Sequence, residues 1–385
     1  MSDQKPTPDW DPHSDIAVED YLAVYDDMRR RCPVAHSEPP QWSLFRHQDL
    51  LRVLHDHTSF SNVVSSHLSV PNGMDPPEHT PYRKLIEPFF ELERMVAFEP
   101  VCRKLASDLV ARLDRNEDIK LISTFAQPYA VQVQCAFLGW PARLHEPLSQ
   151  WSTRNRAAIA ARDRDELARL AEEFTSFITA QLQARRDAGD QAPDDVTTRL
   201  ARAQVDGQPL GDDAIVSILR NWTAGEIGTM AASVGILVQF LAERSDIQRE
   251  VREHPDKLPE AIDEVLRIHG PLVANRRVAT CPVELHGRQI EAGDRLSLFW
   301  IAANRDEEIF EDATEFRWGR DPNQNLLYGA GIHVCPGSPL ARLELRVVME
   351  ELLRASESID LSPNRPAVRD VYPASGFAKL PVRIR

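Results

Sequence analysis

One stretch of the chain combines residue types and spacing suited to metal chemistry: Tyr328-Gly329-Ala330-Gly331-Ile332-His333-Val334-Cys335-Pro336-Gly337-Ser338-Pro339-Leu340-Ala341-Arg342-Leu343-Glu344. Gly329, Gly331 and Gly337 permit positive φ and a close approach of backbone to a ligand. Pro339 suits the first turn of a helix that runs on through Glu344 and Glu351. Cys335 therefore stands where a helix N-terminus points, and the partial positive charge there favours thiolate over thiol. The amides of Gly337 and Ser338 lie within reach of the sulfur, whereas Pro336 has no N–H to give. A soft, anionic sulfur cradled by backbone is a metal ligand. An arbitrary cysteine in a large protein is more often an inert core thiol. What separates Cys335 from that case is the fixed offset at which two glycines, His333 and Gly337 surround it.

Three further constellations carry chemistry. Asp75-Pro76-Pro77-Glu78-His79-Thr80-Pro81-Tyr82-Arg83 ends a loop and opens a helix, with His79 and Arg83 four apart on one face. Read alone, that pair is a solvated helix face. Ala224-Gly225-Glu226-Ile227-Gly228-Thr229 lies inside an apolar run, and its two glycines thin a helix. Such glycines admit either a ligand against the backbone or a neighbouring helix. Glu226 and Thr229, three apart, share a face and are positioned to hold a water chain. Glu264 and Arg267 are likewise three apart on a helix, where each expects a buried partner.

These residues need elements to position them. Apolar residues recur at helical spacing over Ile16–Arg31, Asp49–His55, Arg94–Leu113, Ile122–Leu138, Leu144–Arg162, Asp163–Arg186 and Pro259–His269. Asp212 or Asp213 is expected to cap the longest helix, which runs to about Glu243. Its second half is almost wholly apolar, but short of the roughly 20 residues a membrane span needs and flanked by Glu226 and Glu243, so a buried central helix is predicted. Val34–His36, Trp42–Phe45, Asn275–Thr280, Val283–Leu285, Gln289–Ile290 and Leu296–Trp300 read as short strands. The stretch from Thr58 to Pro77 has no steady period and is long enough for a functional lid. The pattern is mainly α with a smaller β portion clustered toward the two ends.

Composition narrows the function. The chain has 385 residues, 42% hydrophobic and 27% charged, with no repeat or linker-like tract, which favours one domain over 15–385 behind a flexible N-terminal segment, 1–14. A net charge of -14 argues against nucleic acid as a partner. Residues Met1 to His13 contain no apolar stretch of the signal-peptide kind. Five scattered cysteines suit a reducing cytoplasm better than a disulfide framework. A monomer that engages no membrane is the expectation.

The cysteine stretch resembles the haem-thiolate loop of cytochromes P450, F-G-x-G-x-H-x-C-x-G, with Tyr328 standing where that family has Phe. The Asp75–Arg83 segment resembles the family's D-P-P-E-H-x-x-x-R, and Glu264 with Arg267 its E-x-x-R pair, for which Arg320 would complete a structural network. The resemblance runs from about Pro33 to the C-terminus, with its motifs in family order. It implies a P450 fold with haem b between the long central helix and the Cys-loop helix, Cys335 as axial ligand to iron, and His79, Arg83, Arg277 and His333 on the haem propionates, Arg276 being the poorer candidate. It also implies a monooxygenase that inserts one oxygen atom from O2 into a small or medium apolar or aromatic substrate, by hydroxylation or O-dealkylation. Peroxide-driven turnover and a non-oxygenating haem sensor or electron carrier are the alternatives. Asn221–Thr229, Ala274–Val278 and His333–Gly337 look most like the haem domain of the self-sufficient bacterial class. No fused reductase is expected, and a separate ferredoxin or other iron–sulfur or flavin reductase is implied, with Arg342, Arg346 and Lys84 expected to form its docking cluster. Most relatives carry A-G-x-[D/E]-T on the central helix; here Ile227 and Gly228 hold the acid and alcohol positions, which leaves Glu226 and Thr229 as displaced catalytic candidates. The Tyr372–Lys379 tail resembles the family's last substrate-lining hairpin.

Overall fold

The long apolar run forms a single helix, Asp212–Glu243, of 32 residues. The computed structural model describes residues 8–38, 41–115, 117–370 and 372–385. By length and composition this helix could cross a membrane, yet Ile227, Met230, Val234, Leu237, Val238 and Leu241 are buried within the largest core cluster. Helices Gln127–Leu138, Arg164–Ala188, Leu258–His269 and Ser338–Arg354 pack around it. Each fully buried Leu, Ile or Phe in this cluster contributes about 1.5–3 kcal/mol of transfer free energy, so packing fixes the central helix, above all its second half. The helix Leu92–Val110 packs against Ser338–Arg354 and closes the bundle.

The β portion joins the two ends of the chain. Val34–Ser37, Gln41–Leu44, Arg295–Phe299, Ala274–Ala279 and Phe60–Ser61 form one sheet in that spatial order, with only the Arg295–Phe299 to Gln41–Leu44 pairing parallel. Side chains alternate faces along a strand, and in Ala274–Ala279 this exposes Arg276 while burying Arg277.

Several boundaries differ from the sequence reading. The first helix divides into Asp15–Glu19 and Tyr21–Arg31 because the Asp20 carboxylate accepts from the Ala23 amide and starts a new helix. Gly211, not Asp212 or Asp213, is the N-cap of the central helix; the two aspartates fill its first turn, where their charge favours the helix dipole. Helices Val196–Ala201 and Ser245–Glu253 carry no clear sequence signal, since each is short and buries only three or four side chains. The expected flexible segment 1–14 also needs correction. Residues 1–7 lie outside the described residues, but Trp10 is buried edge-on to Phe45 and Phe299 at 5.1 and 5.3 Å between ring centroids.

Two polar assemblies set the site. Arg267, 1% exposed, forms a fork with Glu264 at 2.7 and 2.9 Å and donates to the carbonyls of Asn304 and Ala313. Arg320 donates to the same carboxylate at 2.8 Å, and Phe310 lies under both guanidiniums. This network ties the helix Leu258–His269 to the segment that leads into the cysteine loop. The loop 62–75 is the second assembly. Asp75 accepts from the Ser61 hydroxyl and the Asn62 amide, Ser217 and Asn221 of the central helix hold the Val70 backbone, and Arg220 holds the Leu68 carbonyl. The expected lid is thus fastened to the first third of the central helix.

Candidate functional site

The cysteine loop is shaped by two glycines in the left-handed region, Gly329 at φ 72° and Gly331 at φ 71°. A side chain at Gly331 would meet the Leu54 carbonyl at 2.3 Å, so the loop can sit on the helix His47–His55 only as glycine. Gly337 corrects the sequence reading: it is the N-cap of Ser338–Arg354 at φ -80° and needs no glycine-specific backbone. The Cys335 amide donates to the Tyr328 carbonyl at 2.9 Å, the Ser338 amide donates to the Cys335 carbonyl at 3.3 Å, and the Gly337 and Ser338 amides lie near the sulfur. Burial raises the Cys335 thiol, while those amides and Arg83 oppose the rise. Cys102 and Cys135 are wholly buried, and desolvation pushes the latter up to about 12. They behave as core thiols, whereas Cys335 sits where a cation would take its proton's place.

Around this loop the structure brings together the four basic residues named from sequence. The His79 and His333 rings meet edge to face at 4.5 Å, and Arg83 donates to the Val334 carbonyl at 2.6 Å. Arg277 is buried and donates to the Arg276 carbonyl. Burial, followed by the neighbouring His79 and Arg277 charges, lowers His333 to about 3, and burial lowers Arg277 to about 10. His79 is lowered by burial and then by Arg83. Asp75 is the acid that opposes these shifts at all of Arg277, His79 and His333. The Nε2 atoms of His79 and His333 are buried without a partner. A buried cluster of two arginines and two imidazoles with unmet donors calls for anionic oxygen.

The glycines of the central helix are open. A Cβ built at Gly225 or Gly228 meets no protein atom within 4 Å, which removes the neighbouring-helix reading. Ala224, Gly225 and Gly228 form an exposed stripe on a helix that is buried elsewhere. A Cβ built at Gly376 of the tail would meet Ala232 of the same helix at 3.3 Å, so the tail runs close along the helix and forms one wall. Thr229 donates to the Gly225 carbonyl at 2.6 Å. Glu226 is half-buried, with its Oε1 enclosed, and its carboxyl lies against that of Glu344. The spacing predicts Glu226 and Thr229 together across water; in the structure the Thr229 hydroxyl is committed to the Gly225 carbonyl and the Glu226 carboxyl lies against Glu344. The structure also singles out Glu344, which the sequence presents only as a helix residue; a carboxylate in an otherwise apolar helical face was the available signal.

A haem fits this donor set: a cradled sulfur, four buried or half-buried bases for two carboxylates, and a glycine face with room for a flat ring. The sequence profile of the cytochrome P450 family matches residues 140–381. The erythromycin C-12 hydroxylase of Saccharopolyspora erythraea is 31% identical over 88% of this chain and 87% of its own. Linalool 8-monooxygenase of Pseudomonas putida is 29% identical over 86% and 87%. The crystal structure of CYP109E1 from Bacillus megaterium in complex with testosterone superposes with a TM-score of 0.84 at 27% identity, covering 97% of this chain and 99% of that one. The chain belongs to the cytochrome P450 family, of the bacterial kind, and is a monooxygenase.

Proposed function

We propose that this protein inserts one oxygen atom from O2 into a small or medium apolar or aromatic molecule, by hydroxylation or O-dealkylation, with electrons from a separate ferredoxin or flavin reductase. The observation that carries this reading is the open glycine stripe of the central helix, with the tail running close by at Gly376 and the apolar-tipped loop 62–75 fastened to the same helix at Ser217 and Arg220. Apolar walls select apolar ligands, because they offer little to offset the desolvation of a polar one. Relatives that act on a terpene alcohol or hydroxylate a macrolide, and one crystallised with a steroid, fit the same class. A thiolate-ligated haem supplies the redox chemistry that divides O2 between product and water.

In this proposal Cys335 is the axial ligand, and His79, Arg83, Arg277 and His333 hold the propionates. In this reading a single domain that includes Trp10 works as a monomer in the cytoplasm; the scattered, unpaired cysteines support the reducing compartment. Arg277→Leu removes a buried charged donor worth about 1.5–3 kcal/mol. Haem transfer to an acceptor apoprotein should then be at least about tenfold faster; unchanged transfer would take Arg277 out of the set.

The reductant's footing changes from what the sequence suggests. Of the expected docking cluster, Arg342 pairs with Asp263 and Arg346 with Glu99 and Glu350. Lys84 alone of the three remains without an ion pair among the described residues. Supply of NADPH, ferredoxin and ferredoxin reductase should give substrate-dependent NADPH consumption with matching product. Consumption independent of every apolar substrate tried would count against the oxygenase assignment.

The arrangement on the central helix also favours a peroxide-driven reading. Gly228 has no side chain, and the Thr229 hydroxyl is committed to a carbonyl. Neither position thus offers a free hydroxyl to steady bound oxygen at the glycine face. Added hydrogen peroxide is therefore expected to yield some product without partners.

A further inference from the structure

Glu344 and Glu226 form a buried carboxyl pair between the helix that follows Cys335 and the central helix. Glu344 is 0% exposed, and neither of its side-chain oxygens finds a donor among the protein's N–H and O–H groups; Oε1 of Glu226 is in the same position. The titratable groups that face the pair are Cys102 on Leu92–Val110, Tyr129 on Gln127–Leu138, and Tyr328 and Cys335 on the cysteine loop. None is a cation. Arg103 is drawn away into ion pairs with Glu99, Glu350 and Glu351. Two carboxylates in contact, buried and without a counter-charge, cannot both ionise, because like charges at hydrogen-bond distance repel strongly in a medium of low polarity. One must keep its proton and donate it to the other.

The structure also indicates which one. Glu344 is enclosed completely, whereas Glu226 is only half-buried and adjoins the exposed Gly225 and Gly228, so the charged form is tolerated better at Glu226; burial raises both carboxyls, Glu344 well above its ordinary value. Two acids driven apart in this way take different roles. At about 100° of rotation per residue, Glu226 lies roughly 60° around the central helix from Thr229, on the flank of the open glycine stripe. It therefore has one side on Glu344 and the other beside the surface where substrate is oxidised.

We propose that Glu344 is a positioning residue for oxygenation: held neutral, it donates its hydroxyl hydrogen to Glu226 and leaves Glu226 as the carboxyl that gives up and regains a proton beside the glycine face. The reaction takes in two electrons and two protons for each oxygen atom inserted, the other oxygen leaving as water. Electrons come from the reductant. Glu226, protonated from solvent, passes on one proton, remains as a carboxylate hydrogen-bonded by neutral Glu344, is reprotonated from solvent and passes on the second. The proton-delivering role rests on the monooxygenase reading, while the protonated state of Glu344 does not.

The test is infrared spectroscopy of the haem-loaded protein, joined to the pH dependence of coupling. Wild type should show the carbonyl stretch of a protonated, buried carboxylic acid that persists into alkaline solution. Glu344→Gln should lose that band. Glu226→Gln should keep it, because Glu344 is still buried without a counter-charge. In Glu344→Gln the new amide still donates a hydrogen bond to Glu226, so the pH profile of product formed per NADPH should stay close to wild type. Glu344→Leu removes the donor that holds Glu226 down, so its acidic group should titrate at higher pH. Buried charge networks are often replaced by apolar residues without loss of fold. Absence of the persistent band in wild type, its survival in Glu344→Gln, or identical profiles for the Gln and Leu variants would overturn the proposal. The band needs neither substrate nor partner, so it judges the pair even if no substrate is ever turned over.

Discussion

Arg267→Ala is expected to leave little folded protein. The substitution strands the Glu264 carboxylate, 5% exposed, with Arg320 and the Arg317 amide as its remaining partners, and deletes two hydrogen bonds to the carbonyls of Asn304 and Ala313. Breaking one side of a buried ion pair costs about 3–5 kcal/mol, against a total stability of about 5–15 kcal/mol for a typical domain. A scan of thermal unfolding by circular dichroism would show the loss as a strongly lowered or absent transition. Arg267→Lys should recover only part of it, since an ammonium cannot make the two-pronged contact with Glu264. A midpoint within a degree or so of wild type in Arg267→Ala would mean that the segment before the cysteine loop is held by other contacts.

Cys335→Ser should keep the fold and lose the ligand. The sulfur stands beside the Gly337 and Ser338 amides, and a hydroxyl fits there at almost the same volume, so the bundle has no reason to rearrange. A serine hydroxyl is a far weaker donor to iron than a thiolate. Haem content should fall or the remaining haem should lose its thiolate absorption, while circular dichroism stays unchanged. Cys102 and Cys135 are buried in the core away from any open face, so neither offers a substitute. Retention of the thiolate spectrum in the serine variant would show that another cysteine binds iron.

The sequence made the fold and one side of the site legible, and particular residues show why. Helical periodicity located the bundle because each helix presents an apolar face to a shared core, a pattern that survives without tertiary information. Ser245–Glu253 escaped because a short helix burying only Ile247, Gln248 and Val251 leaves too sparse a period. The cysteine loop was readable from glycine spacing, since positive φ at Gly329 and Gly331 is a local demand of the backbone. Arg277 could be preferred to Arg276 with a physical reason only once the register of Ala274–Ala279 was known. The central-helix acid was the part sequence could not place. Glu226 and Thr229 share a face by spacing, yet Glu226 turns to Glu344, more than a hundred residues away in the chain, and Thr229 turns back to Gly225. Nothing in local pattern announces a contact of that range.

The account's central claim is that Cys335 binds haem iron as a thiolate. The most direct measurement is the absorption difference between the dithionite-reduced protein with and without carbon monoxide. A thiolate pushes electron density onto the iron, and the carbon monoxide complex should then show the strongly red-shifted Soret band of a haem-thiolate protein. A Soret band at the position typical of histidine-ligated haem, in protein that is freshly prepared and folded, would contradict the claim.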